Sequence, residues 1–163
     1  LKQKECDGMV LYHKYSRQDA CRLLNWDKDE SSTIYGYKVH MNTMTCPIFV
    51  TYHKKVNEID PSINYLDNFI SPDIFAWETR NRVSLNSKEP KAIRNEFGPL
   101  RKLLFIQKNN DEGITFYYMG EMEFISNEQK SKQDKTGKLL PVVAMKFKMQ
   151  NPVATDLYEY IVN

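Results

Sequence analysis

The sequence has little of what usually announces a chemical centre. Its 163 residues hold three cysteines and three histidines, and none of them falls in a CxxC or HExxH arrangement. Cys6, Cys21 and Cys46 are odd in number and far apart, a pattern that predicts free thiols in a reducing cytoplasm. A zinc site would have to gather them with His13, His40 and His53 from distant places, against the short regular spacings of structural zinc ligands. There is no Walker A loop and no GxGxxG stretch to cradle a phosphate. No apolar run approaches the ~20 residues of a membrane span, and no secretory leader is visible. Charge of one sign is also missing. The chain carries 23 basic and 21 acidic residues for a net charge of +2, so a nucleic-acid site must rest on local clustering and not on bulk charge.

Nucleophilic catalysis finds no local support. The histidines stand beside lysines or strand-like residues, as in Tyr12-His13-Lys14, Val39-His40-Met41 and Tyr52-His53-Lys54. His53 therefore reads as a strand-end residue ahead of a general base. The adjacent carboxylates Asp111 and Glu112 lie in a glycine-containing turn, where solvated charge is the natural reading. The expectation is a non-catalytic chain with no metal and no cofactor of its own. Because it begins at Leu1 and not Met, it is expected to be part of a longer protein that supplies the remaining function.

What is present is a single core's worth of residues, 41% hydrophobic and 12% aromatic, which suits one domain. Residues 1–11 are expected to lead in from a preceding domain, and residues 12–163 to form the domain itself. Ser16 can cap a helix with Asp19 three residues on, and Ala20, Leu23 and Leu24 give that helix an apolar stripe. Trp26 would anchor its end. Thr33 to Val39 alternates and is β-branched and aromatic, predicting a strand interrupted at Gly36 by a bulge or close approach. Pro47 to Lys54 is the clearest strand, with Ile48, Val50 and Tyr52 on one side and Phe49, Thr51 and His53 on the other. Lys55 to Tyr65 reads as a polar loop. Ser87 could cap a short helix with Pro90 in its first turn. Leu103 to Lys108, Thr115 to Ser126 and Leu140 to Met149 read as strands. Asn127 to Lys138 reads as a mobile polar loop, and Asp156 to Val162 as a terminal helix. Six or seven short strands without a βαβ rhythm predict an α+β fold: a curled, mostly antiparallel, barrel-like sheet with short peripheral helices.

Asp67 to Arg82 is the most unusual stretch, with three large aromatics, three carboxylates and two arginines. As a strand, its end would put Phe75, Trp77, Thr79 and Asn81 on one face and Ala76, Glu78, Arg80 and Arg82 on the other. A core strand needs the first set and has no use for the second, whereas a surface that grips an anionic polymer can use both. Tyrosines are comfortable at partly wet sites, and aromatics near a basic rim can stack on nucleobases. Lys38, Lys54, Arg80, Arg82, Arg101 and Lys102 supply such a rim for phosphates. Each aromatic serves equally well as core, and each cation as an ordinary solvated charge.

The runs Tyr15-Ser16-Arg17, Leu24-Asn25-Trp26, Tyr35-Gly36-Tyr37, Pro47 to Lys54, Phe75-Ala76-Trp77 and Tyr117 to Glu121 resemble the C-terminal recognition domain of SauUSI-type enzymes. These are ATP-dependent, modification-dependent (type IV) restriction endonucleases of bacteria that join a phospholipase-D-type nuclease to a superfamily 2 helicase. The resemblance spans roughly Tyr12 to Asn163. It implies an SRA/PUA-like curled barrel that flips 5-methylcytosine or 5-hydroxymethylcytosine out of duplex DNA, in the bacterial cytoplasm. Upstream nuclease and helicase domains would be the partners, with ATP and magnesium belonging to them. On that reading Tyr35, Tyr37, Tyr52 and Trp77 would form the stacking surfaces and methyl wall. Asp67 or Glu78 would accept from the cytosine amino group, and the basic rim would hold the backbone. An RNA-binding PUA-like module and a docking module that binds no nucleic acid are the alternatives.

Overall fold

Two strands buried on both faces organise the fold. In the computed structural model, which describes residues 8–54 and 67–163, β2 (Thr45–His53) and β5 (Arg101–Asn109) run side by side and parallel. The apolar run Leu103 to Ile106 is fully buried because both faces of β5 are covered. Leu104 and Ile106 point into the main core, and Leu103 and Phe105 into a second, smaller one. β2 divides in the same way, with Ile48 and Val50 in the main core and Phe49 in the second. The second core is roofed by α1 (Arg17–Leu23) and by Trp26. Ser16 and Asp19 close a reciprocal capping box at the start of α1. Trp26 anchors the chain beyond it, stacked on His40 at 4.1 Å and donating its indole N–H to Thr45 Oγ1 at 3.0 Å.

The sheet has seven strands: β1 (Lys14–Tyr15), β2, β3 (Asn68–Ser71), β4 (Ile74–Glu78), β5, β6 (Phe116–Gln133) and β7 (Leu139–Met149). Their order is β2-β5-β6-β7-β4-β3, with β1 paired to β6. Every pairing except β2 with β5 is antiparallel. The fold is thus the expected α+β curl, a mostly antiparallel sheet with short peripheral helices. Register places Phe75, Phe147 and Phe124 in one row across β4, β7 and β6, and that row lines the inside of the curl with Trp77. Two further helices, α2 (Lys88–Ile93) and α3 (Thr155–Val162), pack Ile93 and Ile161 against the same core. Pro90 lies in the first turn of α2 as anticipated, but Ser87, at the N-cap position, makes no side-chain capping hydrogen bond; its Oγ accepts from the Ser84 N–H.

Three local expectations are corrected. Thr33 to Val39 is not a strand: a 3-10 turn over Ser31–Thr33 leads into isolated bridges from Tyr35 to Tyr37 and from Tyr37 to Ile48. Gly36, at φ +81°, turns the chain there and brings its carbonyl to within 2.7 Å of the Phe49 N–H. The expected strand to Arg82 stops at Glu78. Asn127 to Lys138 is not a loop. β6 continues through Gln133 and pairs residue for residue with β7, so only a tight turn at 134–138 remains, where Asp134 accepts from the backbone N–H groups of Thr136 and Lys138. The predicted loop at 55–65 lies outside the described residues. No helix among the described residues is long and apolar enough to cross a membrane.

Because Phe147 is fully buried between Trp77 and Phe124, Phe147→Ala is expected to cost about 3–5 kcal/mol of stability. Urea unfolding of the variant checks this, and a loss under about 1 kcal/mol would mean that the row does not hold the curl.

Candidate functional site

The curl does not close on itself. Its two ends, β2 on one side and β3 with β4 on the other, face each other across a seam bridged by side chains. At one point Tyr52 Oη accepts the Phe69 backbone N–H at 3.1 Å. Beside this bridge the seam opens into a cleft of about 350 Å³ lined by Arg17, Tyr35, Gly36, Tyr37, Phe49, Thr51, Lys54, Asp67, Trp77, Glu78 and Arg80. That volume falls near the lower end of small-molecule sites, roughly 300–1,000 Å³.

The aromatic wall is rigid. The Tyr37 ring meets Trp77 edge-on at 4.8 Å, and the Arg80 guanidinium lies over its face at 3.9 Å. Tyr37 Oη donates to Glu89 Oε1 at 2.7 Å, while Arg80 Nη1 reaches Glu89 Oε2 at 2.6 Å and Nη2 donates to the Tyr37 carbonyl. Burial, and then the Glu89 charge, hold the Tyr37 phenol well above its ordinary value. It therefore stays protonated and remains a donor. Tyr35 is the opposite case. The turn at Gly36 leaves its ring 72% exposed at the mouth.

The acidic wall comes from the end of β4 and the residue before β3. Asp67 Oδ1 accepts the Glu78 backbone N–H at 3.0 Å, and Oδ2 lies 3.6 Å from Lys54 Nζ. Burial pushes the Asp67 carboxyl up to about 6, even though Lys54 and the Glu78 N–H pull it down. Glu78 Oε1 pairs with Lys132 Nζ at 2.8 Å, a lysine delivered by the extended part of β6. Trp77 and Glu78 can both reach the cleft because the ladder from β4 to β7 ends at Glu78.

The expected site residues divide accordingly. Tyr35, Tyr37, Asp67, Trp77 and Glu78 come together in the cleft, with Lys54 and Arg80. Tyr52 does not line it. It sits on the other face of β2, packed against the main core, and β-strand alternation assigns the cleft to Phe49 and Thr51 instead. Lys102 cannot hold a phosphate on the surface: it is 3% exposed, and its ammonium donates to Ile93 O and Asn95 Oδ1 at the end of α2. Lys38 is engaged by Glu30 and Thr33, and Arg101 by Glu121. Arg82 is exposed just beyond the cleft. Arg17 was missed, because its place in the sequence marks only the start of a helix. Phe49 and Thr51 were legible as the far face of the clearest strand.

The raised value of Asp67 carries a pH signature. Its folded-state value of about 6 lies above the ordinary 3.8, so the folded protein holds this proton more tightly than the unfolded chain does. The resulting stabilisation is complete below about pH 4 and is lost as pH rises through about 6. Asp67→Asn removes the charge but keeps an acceptor for the Glu78 N–H. The variant is expected to gain stability relative to the parent as pH goes from 4 to 7. Denaturation midpoints of both proteins across that range check this; a pH-independent difference would contradict it.

Among solved structures, the chain is similar to KRYPTONITE in complex with mCHG DNA and SAH, with a TM-score of 0.52 and 12% identity over 91% of this chain and 34% of that one. It is also similar to Arabidopsis thaliana SUVH6 in complex with SAM, with a TM-score of 0.48 and 12% identity over 93% of this chain and 30% of that one. The chain thus spans about a third of the length of each. At that identity the likeness to KRYPTONITE speaks for the fold. No curated protein matches. The model of the family described as "Domain of unknown function (DUF3427)" matches residues 9–161, and the chain belongs to that family.

Proposed function

We propose that this domain recognises modified cytosine, 5-methylcytosine or 5-hydroxymethylcytosine, in duplex DNA by turning the base out of the stack and into the seam cleft. The observation that carries the reading is the cleft itself, where a rigid aromatic wall faces two carboxylates within a space suited to one small planar group. The fold supports it too, since the similar KRYPTONITE structure was solved with mCHG DNA.

Extruding a base costs a few kcal/mol of stacking and pairing. The exposed Tyr35 ring offers a new stacking partner at the mouth. Asp67 or Glu78 accepts from the cytosine amino group, a carboxylate being the acceptor type that this donor takes. Phe49, Tyr37 and Trp77 give the 5-methyl group an apolar wall. Arg80 braces Tyr37 and holds no phosphate in this scheme, and Arg82 contacts the backbone from the rim. The domain reads a mark and performs no chemistry on it. In the fuller form of the proposal it is the target-recognition part of a modification-dependent restriction endonuclease, and upstream helicase and nuclease parts use ATP and magnesium. That part of the proposal rests on the sequence runs that resemble SauUSI-type enzymes.

Titration of matched duplexes bearing 5-methylcytosine, 5-hydroxymethylcytosine or cytosine, with single-stranded RNA alongside, tests the reading. A modified duplex is expected to bind about 10–200-fold tighter than the unmodified one, the range that a single methylene-sized contact supports. Equal binding to all of them sinks the proposal, preference for RNA transfers the site to RNA, and no binding at low salt favours a docking module. Tyr35→Ala leaves the core untouched and is expected to weaken binding of the modified duplex by about 1–3 kcal/mol.

A further inference from the structure

The cations of the cleft are not equivalent. Arg80 is neutralised by Glu89 at 2.6 Å, Lys54 faces Asp67 at 3.6 Å, and the cleft carboxylate Glu78 is answered by Lys132 at 2.8 Å. Arg17 alone of the lining charges has no carboxylate among the described residues. Its neighbour on α1, Asp19, is occupied by the Ser16 backbone and by Arg22. The Arg17 guanidinium instead lies over the rings of Phe49, at 5.3 Å, and Phe116, at 5.1 Å. Its Nε is buried and makes no hydrogen bond to any described residue. Burial alone pulls its pKa below the ordinary arginine value. A half-buried guanidinium without a counter-ion costs stability, and the fold keeps one at the wall of its cleft.

The geometry points to Arg17 as an anion subsite, a seat for the phosphate that travels with the extruded nucleotide. The inference rests on the reading of the cleft as a nucleotide pocket. A base turned into the seam brings its own sugar and flanking phosphodiester to the cleft wall. A guanidinium's planar fork matches phosphate oxygens in a bidentate fashion, and no carboxylate of the described residues competes for this one. The aromatic seat on Phe49 and Phe116 fixes the fork before the ligand arrives, so little side-chain freedom is lost on binding. A phosphate contact positions the nucleic acid and carries no sequence information. Arg17 is therefore expected to add affinity equally for modified and unmodified cytosine, while the carboxylates and aromatic wall discriminate between them.

Two measurements on the intact domain test this. The first follows the Arg17 Nε–H signal by NMR during titration with inorganic phosphate, 5-methyl-2′-deoxycytidine 5′-monophosphate and the corresponding nucleoside, with chloride as the control salt. The expected result is a saturable shift with the phosphate-bearing probes and none with the nucleoside or chloride. The second compares wild type with Arg17→Met, which keeps the apolar cover over Phe49 and Phe116, and with Arg17→Lys, which keeps the charge, on matched modified and unmodified duplexes across a salt series. Arg17→Met is expected to weaken both duplexes by the same factor and to reduce the slope of log affinity against log salt by about one; Arg17→Lys is expected to retain that slope. An unchanged slope in a folded Arg17→Met protein, or a loss confined to the modified duplex, overturns the subsite while leaving base recognition standing. A reduced slope without discrimination between the duplexes does the reverse. If Arg17→Met does not fold, the NMR titration decides, and a signal indifferent to phosphate overturns the proposal.

Discussion

The structure depends on how a seven-stranded sheet is finished when its ends do not meet in a ladder. Strong twist brings β2 round to face β3 and β4, but no backbone hydrogen-bond ladder joins them among the described residues. Side chains from unlike parts of the chain do the joining. Tyr52 takes up the Phe69 N–H, Tyr37 leans on Trp77, and Arg80 clasps Tyr37 and Glu89 together. A laddered barrel would have filled this place with paired backbone and left no room. The cleft exists because closure by side chains is incomplete, and its walls are stiff because the side chains that close it are aromatic or charge-paired.

That manner of closure also explains the electrostatic character of the chain. Several of its cations are answered locally: Lys38 by Glu30, Arg94 by Glu96, Arg101 by Glu121 and Lys132 by Glu78. The partly exposed pairs, Lys38 with Glu30 and Arg101 with Glu121, contribute little stability, but they weaken the pull of the surface on polyanions. A domain with a net charge of +2 gains little from nonspecific attraction, so affinity for any anionic polymer depends on where its positive groups cluster. Selectivity is easier to maintain on such a background, because wrong partners receive no large electrostatic bonus.

The fold was legible wherever one physical signal dominated. The run Leu103 to Ile106 announced a strand covered on both sides, Ser16 with Asp19 announced a helix start, and the aromatic and charged mixture from Asp67 to Arg82 announced the acidic wall. Misreadings occurred where two signals competed. Thr33 to Val39 has the composition of a strand, yet the single glycine at φ +81° overrides it and converts the alternation into a turn that presents Tyr35 outward and Tyr37 inward. Asn127 to Gln133 has no apolar alternation because neither of its faces is packed on a core. Its strand character comes entirely from the partner β7, and no local pattern carries that information. Lys102 looked like a surface cation because nothing in sequence reveals that the end of α2 needs a donor. Arg17 was invisible for a related reason, since its significance lies in the absence of a partner.

The parallel pairing of β2 with β5 has a consequence for how the site comes into being. Thr51 and Gln107 are linked by a side-chain hydrogen bond although they stand 56 positions apart, and β4 is laddered to β7, which follows it much later in the chain. Every residue lining the cleft lies between Arg17 and Arg80, whereas the partners that hold β2 and β4 in place, β5 and β7, lie beyond Leu100. During synthesis the complete set of cleft side chains therefore emerges well before the strands that arrange them. Contacts of such long range close slowly, and a chain cut short before β7 holds every side chain of the cleft and no cleft. The cleft becomes a late feature in the life of the polypeptide, formed only once the domain has been made through β7.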